Sequence, residues 1–315
     1  MGKYVAKRVV LLLIIIFFVS IAAFFLVHLL PGNPTVTILG PNDTTANAAA
    51  LNRQLGLDKP LIQQYWIWLS HVFQGNLGQS FTTHQTTWAI IKQAFPIDVE
   101  LIVISQIIAF AIAVPMALKA SRRPNRMFDQ VSNSTTFSML ALPPFVIAPV
   151  LVLIFAVHWH VFPGPASYVP LTQNVWSNLH TMLLPSIVLA LGSITVYFRL
   201  LRNDLISTLQ EDFITMARSK GLSDRRIMWR HALRPSSVSL LASAGITIGG
   251  LIAGTLVVET LLQLPGIGYQ LISSINQDDY TVVQGIALVV AVAVVLINFC
   301  FDFLFTVVDP RIARD

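Results

Sequence analysis

A chain of 315 residues with 55% hydrophobic and only 11% charged residues is not an ordinary water-soluble domain, in which roughly a quarter of residues carry charge. Residues 130–198 contain no Asp, Glu, Lys or Arg at all, which excludes a solvated domain there and leaves a multi-spanning membrane protein. The net charge of +5 would suggest nucleic acid in a soluble protein; here it follows from basic residues gathering in cytoplasmic loops, and no nucleic-acid partner is expected.

The first apolar run, Val9–Leu30, superficially resembles a secretory leader. At 22 residues it is longer than a leader's apolar core of roughly 7–15, and it ends in Leu-Leu-Pro-Gly-Asn-Pro rather than at a small-x-small cleavage site. It reads as an uncleaved first spanning helix. Further spans are expected at about 98–118, 132–157, 181–200, 237–261 and 282–306. Runs of this length that do not alternate call for helices, not a barrel, so the fold class is an all-α integral membrane protein with six transmembrane helices. Of the 20 Lys and Arg, 17 fall in segments 1–8, 119–131, 199–236 and 307–315, and three in 31–97, 158–180 and 262–281. That asymmetry predicts that both termini are cytoplasmic. Trp66, Trp68, Trp88, Trp159 and Trp176 fall in the outer segments, where an indole suits headgroup depth, and Trp229 alone falls inside.

In the outer segment, Asp58 before Lys59-Pro60 marks a helix start. Leu61, Tyr65, Trp68, Leu69 and Val72 then recur at helical spacing, which predicts an amphipathic helix packed on the membrane or on the rest of the protein. In chain order the expected organisation is 1–95, a transmembrane helix plus this extracytoplasmic segment; 96–308, five transmembrane helices containing a cytoplasmic loop at 201–236; and a tail, 309–315.

Charges inside spans point to function more often than charges elsewhere. Glu259 near the outer end of the fifth span and Asp302 near the inner end of the sixth are candidates for an interior charge or gate. Asp98 and Glu100 read as acids at the start of the second span, where they favour a helix N-terminus. Pro143-Pro144 and Pro149 break the third span, and Pro115 and Pro185 lie inside the second and fourth. Gly245, Gly249, Gly250 and Gly254 supply two GxxxG spacings in the fifth, a pattern that lets helices approach closely.

Catalytic chemistry is not written here. There is no GxxxxGK[ST], HExxH or GxSxG motif, and the lone Cys300 forms neither a disulfide framework nor a cysteine metal site. His158 and His160, two apart at a membrane edge, leave a ligand role open beside the commoner interfacial one. No catalytic residue, metal or cofactor is expected in the chain itself.

The basic loop is the most informative stretch. Residues 199–236 hold eight Arg and Lys, too polar to span. Glu211–Lys220 predicts a short helix with acids at its start, Arg218 and Lys220 at its end, and Phe213, Met216 and Ala217 on one apolar face. Gly221 stops it. Ser223 caps a second helix, Leu222 and Ile227 form a hydrophobic staple, and Pro235 ends that helix or opens the fifth span. A helix of about ten residues is marginal alone in water, so it must dock, on the anionic membrane face or on a partner protein.

The stretch MARSKGLSDRRIMWRHALRPS resembles the cytoplasmic loop of binding-protein-dependent ABC transporter permeases, and more narrowly that of the first permease subunit of dipeptide, oligopeptide and nickel importers. LPGNP after the first span, GNLGQSF in the outer segment, VVETLLQLPGIGYQLISSINQDDYTVVQGI before the sixth span and VDPRI at the tail fit the same pattern in the same order. The resemblance implies a type I ABC importer permease fold in a prokaryotic cell membrane, an ATPase-coupling EAA loop and no ATPase activity. Aligned on Gly221, the family's Glu-Ala-Ala falls on Thr215, Met216 and Ala217, so only the last Ala and the Gly are kept. By resemblance the coupling residues are Phe213, Thr215, Met216, Ala217, Arg218, Lys220 and Gly221. The implied partners are a second homologous permease, two ATPase subunits that bind ATP and Mg, an extracytoplasmic substrate-binding protein and the lipid bilayer. Di- or oligopeptides are the implied cargo, with nickel chelate, glutathione or haem as alternatives. An integral membrane enzyme or a secondary transporter are more distant readings.

Overall fold

The computed structural model describes residues 2–29 and 58–308, with side chains over 8–25 and 58–301. The Leu30-Pro31-Gly32-Asn33-Pro34 motif, the Asp302 side chain and the tail 309–315 lie outside the described residues. Among the described residues the secondary structure is helical, apart from one isolated antiparallel bridge between Gln79 and Thr86. Five helices among the described residues are long and apolar enough to cross a membrane, and a bent pair makes a sixth crossing if taken as one span. A bilayer has no water to satisfy backbone groups, so each crossing must close its own hydrogen bonds.

Two units divide the chain: Met1–Ile97 with Pro265–Asp315, and Asp98–Leu264. In the first, α1 (Gly2–Leu29) packs along α11 (Tyr280–Val308). The predicted amphipathic helix is α2 (Leu61–Phe73). It buries Tyr65 and Leu69, with Trp68 beside them, against Phe24 of α1, and the Tyr65 and Ser20 hydroxyls share a hydrogen bond of 2.8 Å. Helix α10 (Ile267–Asn276) packs on α11, and Ile267, Val282 and Ile286 form a core with Ile90, Ile91 and Ala94.

Those last three residues belong to α3 (Thr87–Arg122), which passes from the first unit into the second. Its start corrects the expectation for Asp98 and Glu100. The helix begins eleven residues before Asp98, so neither acid sits at a helix N-terminus, and Asp98 is buried. Hydropathy marks where a chain enters lipid, not where its helix starts.

In the second unit, Ala109, Ala113 and Ala117 of α3 are buried in one core with α6 (Val175–Thr208). Tyr197, Phe198, Leu201 and Leu205 of α6 fill the core beside them. Phe110 stacks on Tyr197 at 4.8 Å between ring centres, and the buried phenol donates to Gln106 Oε1. Asn174 caps α6 by accepting from the backbone N–H groups of Trp176 and Ser177 at 3.0 and 3.1 Å.

The third span is broken, as its prolines predict. Leu142, restricted to extended backbone by Pro143, ends α4 (Met127–Ala141) at φ −96°, ψ 119°. Pro144 opens α5 (Pro144–Leu151), a wide π turn follows over Val152–His158, and the two halves are bent by 103°. At its other end α4 is tied to α6 by a two-pronged ion pair between Arg202 and Asp129. Asp129 also accepts from the Asn125 backbone N–H at 2.8 Å.

Candidate functional site: the basic hairpin

Between α6 and the last long helix of the second unit, α9 (Leu233–Leu262), the chain makes the hairpin that carries most of the candidate residues. Its two stems are pinned by side chains. Asp204 accepts from the Ser239 hydroxyl, and the Thr208 and Ser236 hydroxyls lie 3.0 Å apart.

The short helix is α7 (Asp212–Ser219). Asp212 in its first turn and Arg218 in its last complement the helix dipole. Gly221 ends it as predicted, at φ +76°, a backbone that any β-carbon would strain. The Gly221 N–H donates to Arg218 O at 2.9 Å and the Leu222 N–H to Ala217 O at 3.3 Å. This is the Schellman pattern, and Leu222 packs back toward Ala217 as that pattern requires.

Which face is buried differs from the sequence expectation. Ile214 and Ala217 are buried against Ile227, with Leu209 and Leu222 around them. Phe213 and Met216 are 45% and 57% exposed, and Thr215, Arg218, Lys220 and Gly221 are exposed too. Ala217 therefore does not share a face with Phe213 and Met216. On so short a helix the apolar residues cover two sides, and the partner Ile227, ten residues beyond Ala217, decides which side is closed.

The second helix begins where predicted, at Ser223, although the Ser223 side chain makes no capping hydrogen bond. A single turn, α8 (Asp224–Arg226), leads into a π turn over Ile227–Ala232 and then directly into α9. The staple holds, since Ile227 is buried and Leu222 packs with it. Pro235 opens the span rather than ending a helix: it stands in the first turn of α9, after the wide turn. Proline can neither donate an N–H nor tolerate the carbonyl four residues back in tight α geometry, and a wider turn relieves that conflict.

The other candidates lie apart from the hairpin in sequence. Glu259 is fully buried near the end of α9, where its backbone carbonyl accepts from Leu264 N at 2.9 Å. Gly245 and Gly249 are buried, and a β-carbon at Gly254 would meet a Leu189 methyl of α6 at 3.7 Å. Gly250 faces open space, so only part of the double GxxxG pattern is used among the described residues. His158 and His160 are exposed, and among the described residues no three metal-ligating side chains converge.

A second constellation, in the first unit, escaped the sequence reading although both of its motifs were visible. In the GNLGQSF stretch, Gly75 and Gly78 adopt φ +78° and +87°, and a β-carbon at Gly78 would collide with the Thr281 methyl. Asp279 accepts from the Ser80 hydroxyl and from Thr82 Oγ1 at 3.2 Å. Gly285, one turn further along α11, lies so close to Thr87 that a β-carbon would strike its methyl. Two motifs are thus one knot, joined by the Ser80–Asp279 bond across 199 residues of sequence.

The model of the binding-protein-dependent transport system inner membrane component matches residues 101–314, and its N-terminal companion matches residues 1–102. The chain belongs to this family. It is a multi-pass membrane permease component of a binding-protein-dependent transport system, not an enzyme. It is 32% identical to the dipeptide transport system permease protein DppB of Lactococcus lactis over 313 residues, covering 99% of each chain. It is 33% identical to the di/tripeptide transport system permease protein DppB of Pseudomonas aeruginosa over 333 residues, and 31% identical to the dipeptide permease DppB of Escherichia coli K12 over 335, again at 99% of each chain. Membership implies ABC partner components and a substrate-binding protein. Within this permease, the hairpin offers an apolar pair on a short helix whose stems are tied into the spanning bundle.

Proposed function

We infer that the chain is one of two permease halves of an ATP-driven importer of di- or oligopeptides. A second, similar permease completes the pathway, two ATPase subunits bind inside, and an extracytoplasmic protein delivers the cargo. Full-length similarity to proteins named as dipeptide and di/tripeptide permeases supports the cargo class. The 17-to-3 distribution of basic residues supports cytoplasmic termini and a cytoplasmic hairpin.

The observation that carries the coupling role is the pair Phe213 and Met216, left exposed on a helix whose other face is buried. An ATPase groove that takes this pair would move α7 as a rigid piece, because Ile214 and Ala217 lock it to Ile227. The motion would pass into α6 and α9 through Asp204–Ser239 and Thr208–Ser236, and into α4 through Arg202–Asp129. ATP shifts the two bundle shapes only through its different affinity for them, so a stiff link from motor to bundle is what coupling requires.

The test is uptake of labelled dipeptide into proteoliposomes holding the permease with its partner subunits and binding protein. Uptake is expected to need ATP on the hairpin side and to be competed by di- and tripeptides. Competition by nickel chelate, glutathione or haem instead would overturn the cargo assignment, and uptake without ATP would overturn the importer reading.

A further inference from the structure

The hairpin has a second surface that coupling through Phe213 and Met216 does not use. Arg225, Arg226, Trp229 and Arg230 line, with Ser223, an open depression of about 510 Å³. Arg225 also lines a neighbouring cavity of about 310 Å³ with Arg122, Arg123 and Arg218. Among the described residues none of these six arginines makes an ion pair, and the one carboxylate lining either depression is that of Asp224. The depression lined by Arg225, Arg226 and Arg230 has no carboxylate in its lining; exposed guanidinium groups so placed suit an anion, and their planar forks match phosphate oxygens two at a time.

Depth along the helix says which anion. Asp224 to Leu262 runs as one helical path. Arg234 is its last charged residue before the uncharged run 235–258. Trp229 precedes Arg234 by five residues, about 7–8 Å at 1.5 Å per residue. The headgroup layer on each side of the hydrocarbon is about 5–8 Å thick. Trp229, 52% exposed, therefore stands at headgroup depth with arginines on either side of it in sequence, the placement in which an indole and basic side chains anchor to a bilayer. The exposed apolar pair of the hairpin, Phe213 and Met216, stands on α7 and not in this depression.

We propose that Arg225, Arg226 and Arg230, with Trp229 in the headgroup layer beside them, form a binding site for the phosphate headgroup of an anionic phospholipid. The site keeps the returning arm of the hairpin, and with it α7, which is packed on that arm through Ile227, at the membrane surface. It rests on the chain spanning a membrane and is independent of what cargo is carried.

The test uses the full chain with Trp66, Trp68, Trp88, Trp159 and Trp176 replaced by Phe, so that Trp229 alone fluoresces. It is reconstituted with phosphatidylcholine or phosphatidylglycerol carrying brominated chains. Brominated phosphatidylglycerol is expected to quench Trp229 several-fold more than brominated phosphatidylcholine at equal mole fraction. The triple substitution Arg225→Gln, Arg226→Gln, Arg230→Gln should remove that preference, and inorganic phosphate should not displace it. Should the tryptophan replacements unfold the chain, native mass spectrometry of the otherwise unaltered protein serves instead: it should retain phosphatidylglycerol, and the triple Gln variant should lose it. Equal quenching or retention of the two lipids, an unchanged preference in the triple variant, displacement by inorganic phosphate, or complete shielding of Trp229 from lipid once the ATPase subunits bind would each overturn the proposal.

Discussion

The hairpin and the Gly78–Asp279 knot both carry motifs that mark the family, yet they are built in opposite ways. The knot is closed. Two left-handed glycines, a backbone too near Thr281 for any side chain, and a carboxylate taking two hydroxyls join its two stretches of sequence to each other. The hairpin is half open. Three buried apolar residues hold α7 in place, while Phe213 and Met216 are left uncovered, and exposed arginines line two depressions elsewhere on the hairpin. Ser80, Thr82 and Asp279 satisfy one another within the fold, whereas the hairpin leaves apolar and charged groups open, as the coupling role proposed for it requires.

That contrast can be broken by substitution, and the largest effect belongs to the knot. Gly78→Val combines a side chain at φ +87° with a collision against Thr281. It should cost about 4 kcal/mol, the sum of left-handed strain and overpacking, read as loss of folded protein in a thermal melt; adding Thr281→Ser should recover part of it. Ile214→Ala empties the centre of the hairpin's buried cluster and should cost about 3 kcal/mol locally, seen as faster amide exchange over 212–219. Asp279→Asn weakens the bonds from Ser80 and Thr82 and should cost about 2 kcal/mol, because hydrogen bonds to a charged acceptor are the stronger kind. Phe213→Ser and Met216→Ser remove exposed side chains and should change stability by no more than about 0.5 kcal/mol. If they destabilised as much as Ile214→Ala, the division into a buried and an open face would be wrong.

How much of this was legible in the sequence follows the range of the forces involved. The spans, the α2 helix, the break at Pro143-Pro144 and the stop at Gly221 depend on local chemistry, and each could be read from neighbouring residues. The start of α3 could not, because its first turns pack on Val282 and Ile286 far along the chain and their sequence lacks the uniform hydropathy that marks a span. Nor could the buried face of α7, since Ile214 and Phe213 are equally apolar neighbours and only contact with Ile227 separates them. The knot was hidden for the same reason: both motifs were seen, but nothing in either announces the other. The clamps Asp204–Ser239 and Arg202–Asp129 join polar residues at span edges that sequence reading takes for solvated ones.

The central claim is that the open face of α7 transmits the work of a cytoplasmic motor. It is tested most directly by the double substitution Phe213→Ser, Met216→Ser in the assembled transporter, measuring ATP-driven dipeptide uptake and thermal stability on the same preparation. The account predicts an unchanged melting temperature with uptake abolished; uptake at the unsubstituted rate from an equally stable complex would contradict it.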